Sequence, residues 1–474
     1  MSELTLSAPI SWLDGIDVRT GRIVQEGHPQ KGESIAGRIV RLRGSTGSTV
    51  GAYIFFALKR NNAAPLKIIL EEPDSVTIAA ELAGIPVELK GVKEVKLEDE
   101  EIDESLKRYL EREASISGAQ RFARIKSVHI SGVSYATIGE AGREWLSEIA
   151  SKIKFKVTAT TNPAGMDLIS WRDMGIPEGF ARKQVEIVDS LIEMGALPTF
   201  TCIPYLSGNL PVYGESVCWG ESSAVAFVNS VIGARSNREG ATKTIVAAAT
   251  GYTPLYGKHL DENRVPDLAV YPEPLENLLH YYLLAYYTGL QYPDSVPIYN
   301  VKRASLAELK ALAAAGAASG SIEMYHIPGI TPNKFSYASK SIRVTKRDLL
   351  SLREELSSFD GGTDLVVLGC PHLSLQEIEE LSELMNGRKA IVKFWIFTAR
   401  AFMPLIERLK WKIERFGAKI WYDTCMVVSP LEELGIKKVT TNSAKAAKYL
   451  SSLRGLEVEL LDIKEIIERY SAPE

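Results

Sequence analysis

The chain has 474 residues, of which 45% are hydrophobic and 24% charged, and its formal net charge is −4. This composition is typical of a globular protein of about two to four domains, and the slightly acidic balance argues against a nucleic-acid or membrane-surface partner. No apolar run approaches the about 20 residues that cross a bilayer, and the N-terminus lacks a secretory pattern, so we expect a cytoplasmic protein.

The first part of the chain, residues 1–90, is predicted to be a small β-rich domain. Its strand-like runs are separated by turns rich in Gly and Pro, and they read AGRIVRL, GAYIFFAL and LKIILEE. Residues 91–118 are strongly charged, with apolar residues at helical spacing. This pattern predicts a solvated helix that either links the small domain to the next domain or forms the start of that next domain.

The remainder, residues 119–474, alternates strand signals with helix signals. Apolar runs such as DLVVLGCPH and KAIVKFWIFT are each followed by an amphipathic segment. This order predicts parallel α/β units, in which ligands bind at the carboxyl ends of the strands. We therefore predict an α/β fold with a large catalytic part over residues 119–474.

Four cysteines are too few for a disulfide framework in a chain of this length. Cys202, Cys370 and Cys425 each follow a strand-like run, so their thiols can converge, whereas Cys218 lacks this setting and is expected in the core. Buried thiols that act as small hydrophobes are the alternative. The chain has no CxxC pair, which argues against structural zinc, but three thiolates can hold an iron–sulfur cluster with one open iron.

Two arginines three residues apart, Arg235 and Arg238, lie in the Gly-, Ser- and Asn-containing stretch GARSNREG. Their planar guanidinium groups suit carboxylate and phosphate, and a surface salt bridge is the alternative. Further along, Ser443 and Lys445 in TNSAK are candidates for binding an anion near a helix N-terminus.

Several segments resemble the aconitase X family, and they occur in the family's order. In the large part they are HISGVSYATIGEAG, TTNPAGMDL, TCIPYLSGNLPVYGESVCWGESSAVAFVNSVIGARSNREG, GCPH, DTCMVV and TNSAKAAKY. The N-terminal segments SWLDGIDVRTGRI, GHPQKGESIAGRIV and GSTGSTVGAY are similar to the family's small subunit. The resemblance implies an aconitase-like large part of α/β domains and a swivelling β-rich small domain, fused and packed together in one chain.

The resemblance also implies the site. The family's iron–sulfur cluster would be held by Cys202, Cys370 and Cys425, as a 4Fe–4S cluster with one open iron or, alternatively, as a 2Fe–2S cluster. The catalytic base would be Ser48 of the GSTVG-like motif, with Ser45 as the alternative because Gly-Ser-Thr is repeated; without the family, a polar turn is the favoured interpretation. The residues implied to bind a small anionic substrate are His129, Ser131, Asn162, Ser230, Arg235, Asn237, Arg238, Ser443 and Lys445.

Members of the family are hydro-lyases, so the resemblance implies a dehydratase. Our leading hypothesis is dehydration of (R)-5-phosphomevalonate to trans-anhydromevalonate 5-phosphate in an archaeal isoprenoid pathway, and the alternative is cis-3-hydroxy-L-proline dehydratase. A non-catalytic iron–sulfur protein would be expected to lack the serine motif or the arginines, and both are present.

Overall fold

The computed structural model describes residues 2–25, 27–46, 49–72, 74–89, 91–99, 101–335 and 337–474. Within these ranges the protein is a mixed α/β structure, as the sequence predicts. None of the described helices is long and apolar enough to cross a membrane.

The N-terminal unit is strand-rich, but the run GAYIFFAL, which the sequence predicts as a strand, is helical, with Ile54, Phe55 and Leu58 buried on one face. Its elements are β1 (Glu3–Thr5), β2 (Ile10–Ser11), α1 (Trp12–Gly15), β3 (Ile16–Asp17), β4 (Arg22–Ile23), β5 (Ile39–Leu42), β6 (Ser45–Thr46), α2 (Ile54–Arg60), β7 (Lys67–Leu70), α3 (Ser75–Leu82) and β8 (Val87–Leu89). Four of the strands form a parallel sheet in the order β1-β5-β7-β8. Val40 and Leu42 of β5 are buried on one face, as expected for a strand with one covered side.

The charged segment after this unit forms α4 (Glu104–Ile116), whose first turn is capped by the Asp103 carboxylate. Leu106, Tyr109 and Leu110 are buried in the same hydrophobic core as the N-terminal sheet. The helix is therefore solvated on one face only, because its apolar residues recur at the helical period.

The first domain of the large part is built around a short parallel sheet. Its elements after α4 are β9 (Phe122–Arg124), β10 (Ser127–Ile130), α5 (Tyr135–Ala150), β11 (Thr158–Thr161), α6 (Trp171–Met174), α7 (Glu178–Met194), β12 (Cys218–Trp219), α8 (Ser222–Phe227), α9 (Ala241–Thr250) and β13 (Tyr252–Pro254). The sheet order is β11-β10-β12, and β9 pairs with β13 separately. The strand-like LPTFT before Cys202 makes only one bridge, between Thr160 and Leu197.

The second domain pairs a three-stranded parallel sheet with two close helices. Its elements are β14 (Leu268–Pro272), α10 (Leu278–Gln291), β15 (Pro297–Tyr299), α11 (Leu306–Gly320), β16 (Lys340–Val344) and α12 (Lys346–Glu355). The alanine-rich segment predicted as a packing helix is α11. Gly320 at its end lies against the Gly289 carbonyl of α10, where a Cβ atom would collide.

The third domain carries a five-stranded parallel sheet in the order β20-β19-β17-β21-β22. Its elements are β17 (Leu365–Leu373), α13 (Leu375–Met385), β18 (Arg388–Ala390), β19 (Lys393–Thr398), α14 (Met403–Phe416), β20 (Ala418–Tyr422), β21 (Lys438–Thr441), α15 (Ala444–Arg454), β22 (Glu457–Leu460), α16 (Ile463–Tyr470) and β23 (Ser471–Pro473). The pairing of β17 with β19 shifts register between Leu368 and Leu373. This irregular stretch contains Cys370.

Candidate active site

Three of the four cysteines line one cavity of about 190 Å³. Cys202 lies in the loop after α7, Cys370 in the irregular end of β17, and Cys425 in the loop after β20. All three are buried and form no disulfide. The structure thus brings together thiols from three separate segments, two of them at strand ends of one parallel sheet. Cys218 lies instead in β12 and is fully buried, as predicted for a core thiol.

Burial dominates the electrostatics of these thiols. It raises the pKa of Cys202, Cys370 and Cys425 to about 12 each. The charge of Glu221 and the neighbouring thiols of the set also raise these pKa values, and Lys445 opposes the rise for Cys202 and Cys370. A cationic ligand would favour the thiolate forms, since opposite charge lowers the pKa of a thiol.

The cavity fits an iron–sulfur cluster by its donors. Three soft thiols face one space, and the backbone N–H of His372 donates to Sγ of Cys202 at 3.2 Å. In the described part of the chain, no three His, Cys, Asp or Glu side chains lie close enough to hold a single metal ion. A cluster distributes its thiolates over several iron atoms, so it needs more widely spaced ligands than one ion does.

A buried ion pair forms one wall of the cavity. Glu221, which caps α8, pairs with Lys445 in the first turn of α15. Its carboxylate also accepts from Nδ2 of Asn162 at 2.9 Å and from Oγ of Ser223 at 2.8 Å. Burial opposes ionisation, but the charge and hydrogen bonds of Lys445, with those of Asn162 and Ser223, lower the pKa of Glu221 to about 2.

Arg238 lines the cavity as well, and Arg235 does not. Arg235 donates to the His259 carbonyl at 2.6 Å and pairs with Asp261. The segment is extended, because Arg235 and Arg238 form bridges with Ser216 and Trp219. Side chains three residues apart on an extended chain point to opposite faces, so the two arginines do not form one clamp.

Of the other predicted substrate-binding residues, some line the cavity and some do not. Ser131, Asn162 and Lys445 line the cavity. Ser443 does not line it; it is the N-cap of α15, and its Oγ accepts from the Ala446 N–H. His129 also lies outside the lining, in β10 two residues before Ser131, and burial lowers its pKa to about 4.

His129 Nδ1 is 2.9 Å from Oγ1 of Thr160, and Nε2 is buried without a partner among the described residues. Two further predicted residues lie outside the cavity lining. Ser230 bonds within the core to Ala226 and Tyr325, and Asn237 bonds to the backbone of Tyr256 and Lys258.

The predicted base, Ser48, lies outside the described residues. The alternative, Ser45, belongs to β6 and borders a separate surface cavity of the N-terminal unit. A short helix, Thr49–Tyr53, packs against α5 and α9 of the first domain. Ala52 of this helix and Arg238 line a second cavity of about 40 Å³.

Sequence reasoning missed two residues of this region, Glu221 and His372. Glu221 is the carboxylate directly before the apolar helix α8, and that position could have identified it as a cap. His372 follows Cys370 by two residues and is fully buried. Its nitrogens lie 3.0 Å from Oγ1 of Thr201 and 2.8 Å from the Thr424 carbonyl.

Comparison with known proteins places these features in a family. Family models match as the aconitase X swivel domain (residues 2–104), first domain (90–262), second domain (266–354) and third domain (363–472). The structure is similar to a crystal structure of Thermococcus kodakaraensis aconitase X in its holo-form, with a TM-score of 0.72, 37% identity, and coverage of 77% of this chain and 94% of that one.

Three relatives illustrate the similarity. The phosphomevalonate dehydratase large subunit of Methanothermobacter thermautotrophicus is 43% identical over 74% of this chain and 90% of its own length. The cis-3-hydroxy-L-proline dehydratase of Pseudomonas aeruginosa is 30% identical over 97% of this chain and 92% of its own. The phosphomevalonate dehydratase small subunit of Pyrococcus abyssi is 46% identical over 19% of this chain and 68% of its own.

The four domain models together span almost the whole sequence, with the swivel domain first. The small and large parts of the family are thus fused in this protein, and the sequence-based recognition and fold class are confirmed. The chain belongs to the aconitase X family, and it is a dehydratase, a hydro-lyase.

Proposed function

We propose that this hydro-lyase converts (R)-5-phosphomevalonate to trans-anhydromevalonate 5-phosphate, with an iron–sulfur cluster held by Cys202, Cys370 and Cys425. The observation that carries the proposal is the convergence of three thiols in one cavity with Arg238 and Lys445. The higher identity to phosphomevalonate dehydratase large subunits than to hydroxyproline dehydratases supports this substrate.

The charges of the cavity support an anionic substrate. Its ionised lining side chains among the described residues are Glu221, Arg238 and Lys445. Because the Glu221 carboxylate is already paired with Lys445 and Asn162, no unpaired carboxylate among the described residues faces the cavity. Arg238, which forms no ion pair with a described residue, is therefore available to a phosphate or carboxylate, whereas the ammonium of an imino acid finds no unpaired carboxylate there.

A second basic group lies beside Arg238. Burial, followed by the charge of Arg238, lowers the pKa of Lys448 on α15. Lys448 donates to the Ala318 carbonyl, and the backbone N–H of Arg238 donates to Glu323 at 3.2 Å. Lys448 itself does not line the cavity, so Arg238 is the cation that we assign to the phosphate.

The residues then have distinct roles in the elimination of water. A cluster with one iron free of protein ligands supplies a Lewis acid for the leaving hydroxyl oxygen. Arg238 and Lys445 bind the anionic ends and stabilise the enolate that develops when the carbon next to the carboxylate loses its proton. Ser48, as its alkoxide, accepts that proton, the hydroxyl leaves from the next carbon and takes a proton from solvent to become water, and a carbon–carbon double bond forms.

A specific observation favours the second candidate, cis-3-hydroxy-L-proline. The relative with that activity in its name aligns with 97% of this chain, so it shares the small and large parts together. This architecture does not identify the substrate, because the chemistry of dehydration is the same in both cases.

The test is an anaerobic turnover assay of the iron-reconstituted protein with both substrates side by side, followed by NMR. We expect turnover of 5-phosphomevalonate alone; turnover of the imino acid alone would overturn the substrate assignment. Cys202→Ser should abolish iron binding and turnover, and Cys218→Ser, a buried thiol outside the cavity, is the matched control. Ser48→Ala should remove turnover without removing iron, and retained turnover would contradict its role as the base.

A further inference from the structure

One buried imidazole connects the segments of the three cysteines. His372 has no exposed surface, and it follows Cys370 by two residues. Its Nδ1 is 3.0 Å from Oγ1 of Thr201, the residue before Cys202. Its Nε2 is 2.8 Å from the carbonyl oxygen of Thr424, the residue before Cys425. The ring therefore spans from the Cys202 loop to the Cys425 loop.

The direction of each hydrogen bond follows from the partners. A carbonyl oxygen can only accept, so Nε2 of His372 carries the hydrogen and donates to Thr424. In a neutral ring Nδ1 is then an acceptor, and the Thr201 hydroxyl donates to it. The same hydroxyl oxygen accepts from the Ile203 N–H at 3.2 Å. Both ring nitrogens are thus used, and the ring has one orientation.

The backbone of this segment is fixed from the second domain. Lys310 of α11 is fully buried, donates to the His372 carbonyl at 2.8 Å and pairs with Glu377. Tyr282 of α10 donates to the Cys370 carbonyl at 3.1 Å. His372 is therefore held rigidly on one side and holds two loops on the other.

We propose that His372 is a positioning residue that sets the distances among Cys202, Cys370 and Cys425 through these two bonds. The inference rests on the proposed function, in which the three thiolates hold an iron–sulfur cluster. A rigid ring suits this role, because loops that carry metal ligands need a partner that fixes their orientation. Residues that orient metal ligands cost about 10- to 100-fold in metal affinity or activity when they are replaced.

Two substitutions separate the two bonds. His372→Asn places an amide oxygen near the Nδ1 position and can keep the bond to Thr201, but it loses the bond to Thr424. His372→Gln places an amide nitrogen near the Nε2 position and can keep the bond to Thr424, but it loses the bond to Thr201. Each variant should therefore release a different cysteine loop.

The first readout is made without metal. Alkylation of each cysteine in the iron-free protein is followed by mass spectrometry under native conditions. We expect about tenfold faster alkylation of Cys425 in His372→Asn and of Cys202 in His372→Gln. His326→Gln is the control, since His326 is also buried and bonds a carbonyl through Nε2, that of Arg264, away from the cavity. Alkylation rates of Cys202 and Cys425 that stay the same in wild type and in both His372 variants would overturn the proposal.

The second readout is the reconstituted cluster. Both His372 variants should lose iron to a chelator about 10- to 100-fold faster than wild type and change the electron paramagnetic resonance spectrum of the reduced cluster. If wild type binds no cluster, the proposed function fails, while the alkylation pattern still decides the role of His372. If the His372 variants do not fold, Thr201→Val, which removes the hydroxyl that donates to His372 and accepts from the Ile203 N–H, should reproduce the exposure of Cys202, whereas Thr201→Ser, which keeps both bonds, should not. An unchanged Cys202 in Thr201→Val would contradict the inference.

Discussion

Two buried ionic groups in this protein combine the same residue types in different proportions. In the three-cysteine cavity, one carboxylate, Glu221, meets one ammonium group, Lys445. Near the second cavity, Lys243 faces two carboxylates, Glu239 at 2.7 Å and Glu113 at 3.4 Å. The side chains of this second group are no more than 3% exposed.

Because these proportions differ, the pKa values of Glu221 and Glu113 shift in opposite directions. Lys445 and the hydrogen bonds to Glu221 outweigh burial and hold its pKa near 2, whereas burial raises the pKa of Glu113 despite Lys243. Oε2 of Glu113 and Oε1 of Glu239 lack hydrogen-bond partners among the described residues. The number of cations and donors per carboxylate, and not burial alone, decides in which direction the pKa of a buried carboxyl shifts.

The largest effect is expected from removing the cation of the cavity pair. Lys445→Met leaves the Glu221 charge buried without a counter-ion, which should cost about 3–5 kcal/mol of unfolding free energy. Urea unfolding of the metal-free protein at neutral pH measures it, and turnover should be lost as well. Lys448→Met is the stability control on the same helix, because Lys448 bonds a carbonyl instead of a carboxylate. A loss for Lys445→Met no greater than for Lys448→Met would contradict the comparison.

Arg238 lies between the two ionic groups, since it lines both cavities. Arg238→Gln should lower kcat/KM by about 100-fold, which corresponds to about 3 kcal/mol for one charge-assisted hydrogen bond. Arg235→Gln should have a much smaller effect, because Arg235 faces Asp261 on the opposite side of the extended segment. Equal losses of kcat/KM for the two variants in steady-state assays would instead support substrate binding by both arginines, as their spacing in the sequence predicts.

The acid sensitivity of Glu221 gives a third test. A carboxyl whose folded pKa is lowered from 4.5 to about 2 contributes stability above pH 4.5 and loses it as the pH falls toward 2. The full contribution is about 3 kcal/mol. Glu221→Gln should therefore be less stable than wild type by this amount at pH 6, and in urea unfolding of the metal-free proteins the gap should fall to about 1.4 kcal/mol at pH 3 and close below pH 2. A difference in unfolding free energy that is independent of pH would contradict the lowered pKa of Glu221.

Much of the fold could be predicted from the sequence, because apolar runs and amphipathic helices are local patterns. The strands around Leu365–Leu373 and the helix after them are examples. The packing partner of α4 could not be, since the sequence predicts a solvated helix with apolar residues at helical spacing but does not show that Leu106 and Tyr109 enter the N-terminal core. The partner of an apolar face depends on the order of strands and domains, which local patterns do not contain.

The candidate site, too, could be predicted from the sequence only in part. The cysteines could be recognised by their positions after strand-like runs, but their convergence depends on the register shift in β17 and on the loop around Cys202. Spacing alone predicted one clamp from Arg235 and Arg238, and the extended backbone separates them. Glu221 was missed because a carboxylate before an apolar helix is also an ordinary cap.

The smallest effect, and the one with the opposite sign, is expected at Glu113. Because burial raises its folded pKa above the ordinary 4.5, the stability it contributes is fully present below pH 4.5 and is lost as the pH rises through the folded value. Glu113→Gln does not titrate, so it should match wild type at pH 4 and become the more stable protein as the pH rises. The gain should be smaller than the about 3 kcal/mol expected for Glu221, because Lys243 still attracts the Glu113 charge. Urea unfolding of both proteins between pH 4 and 9 measures it, and a gap with the sign of Glu221→Gln would show that one lysine satisfies two buried carboxylates.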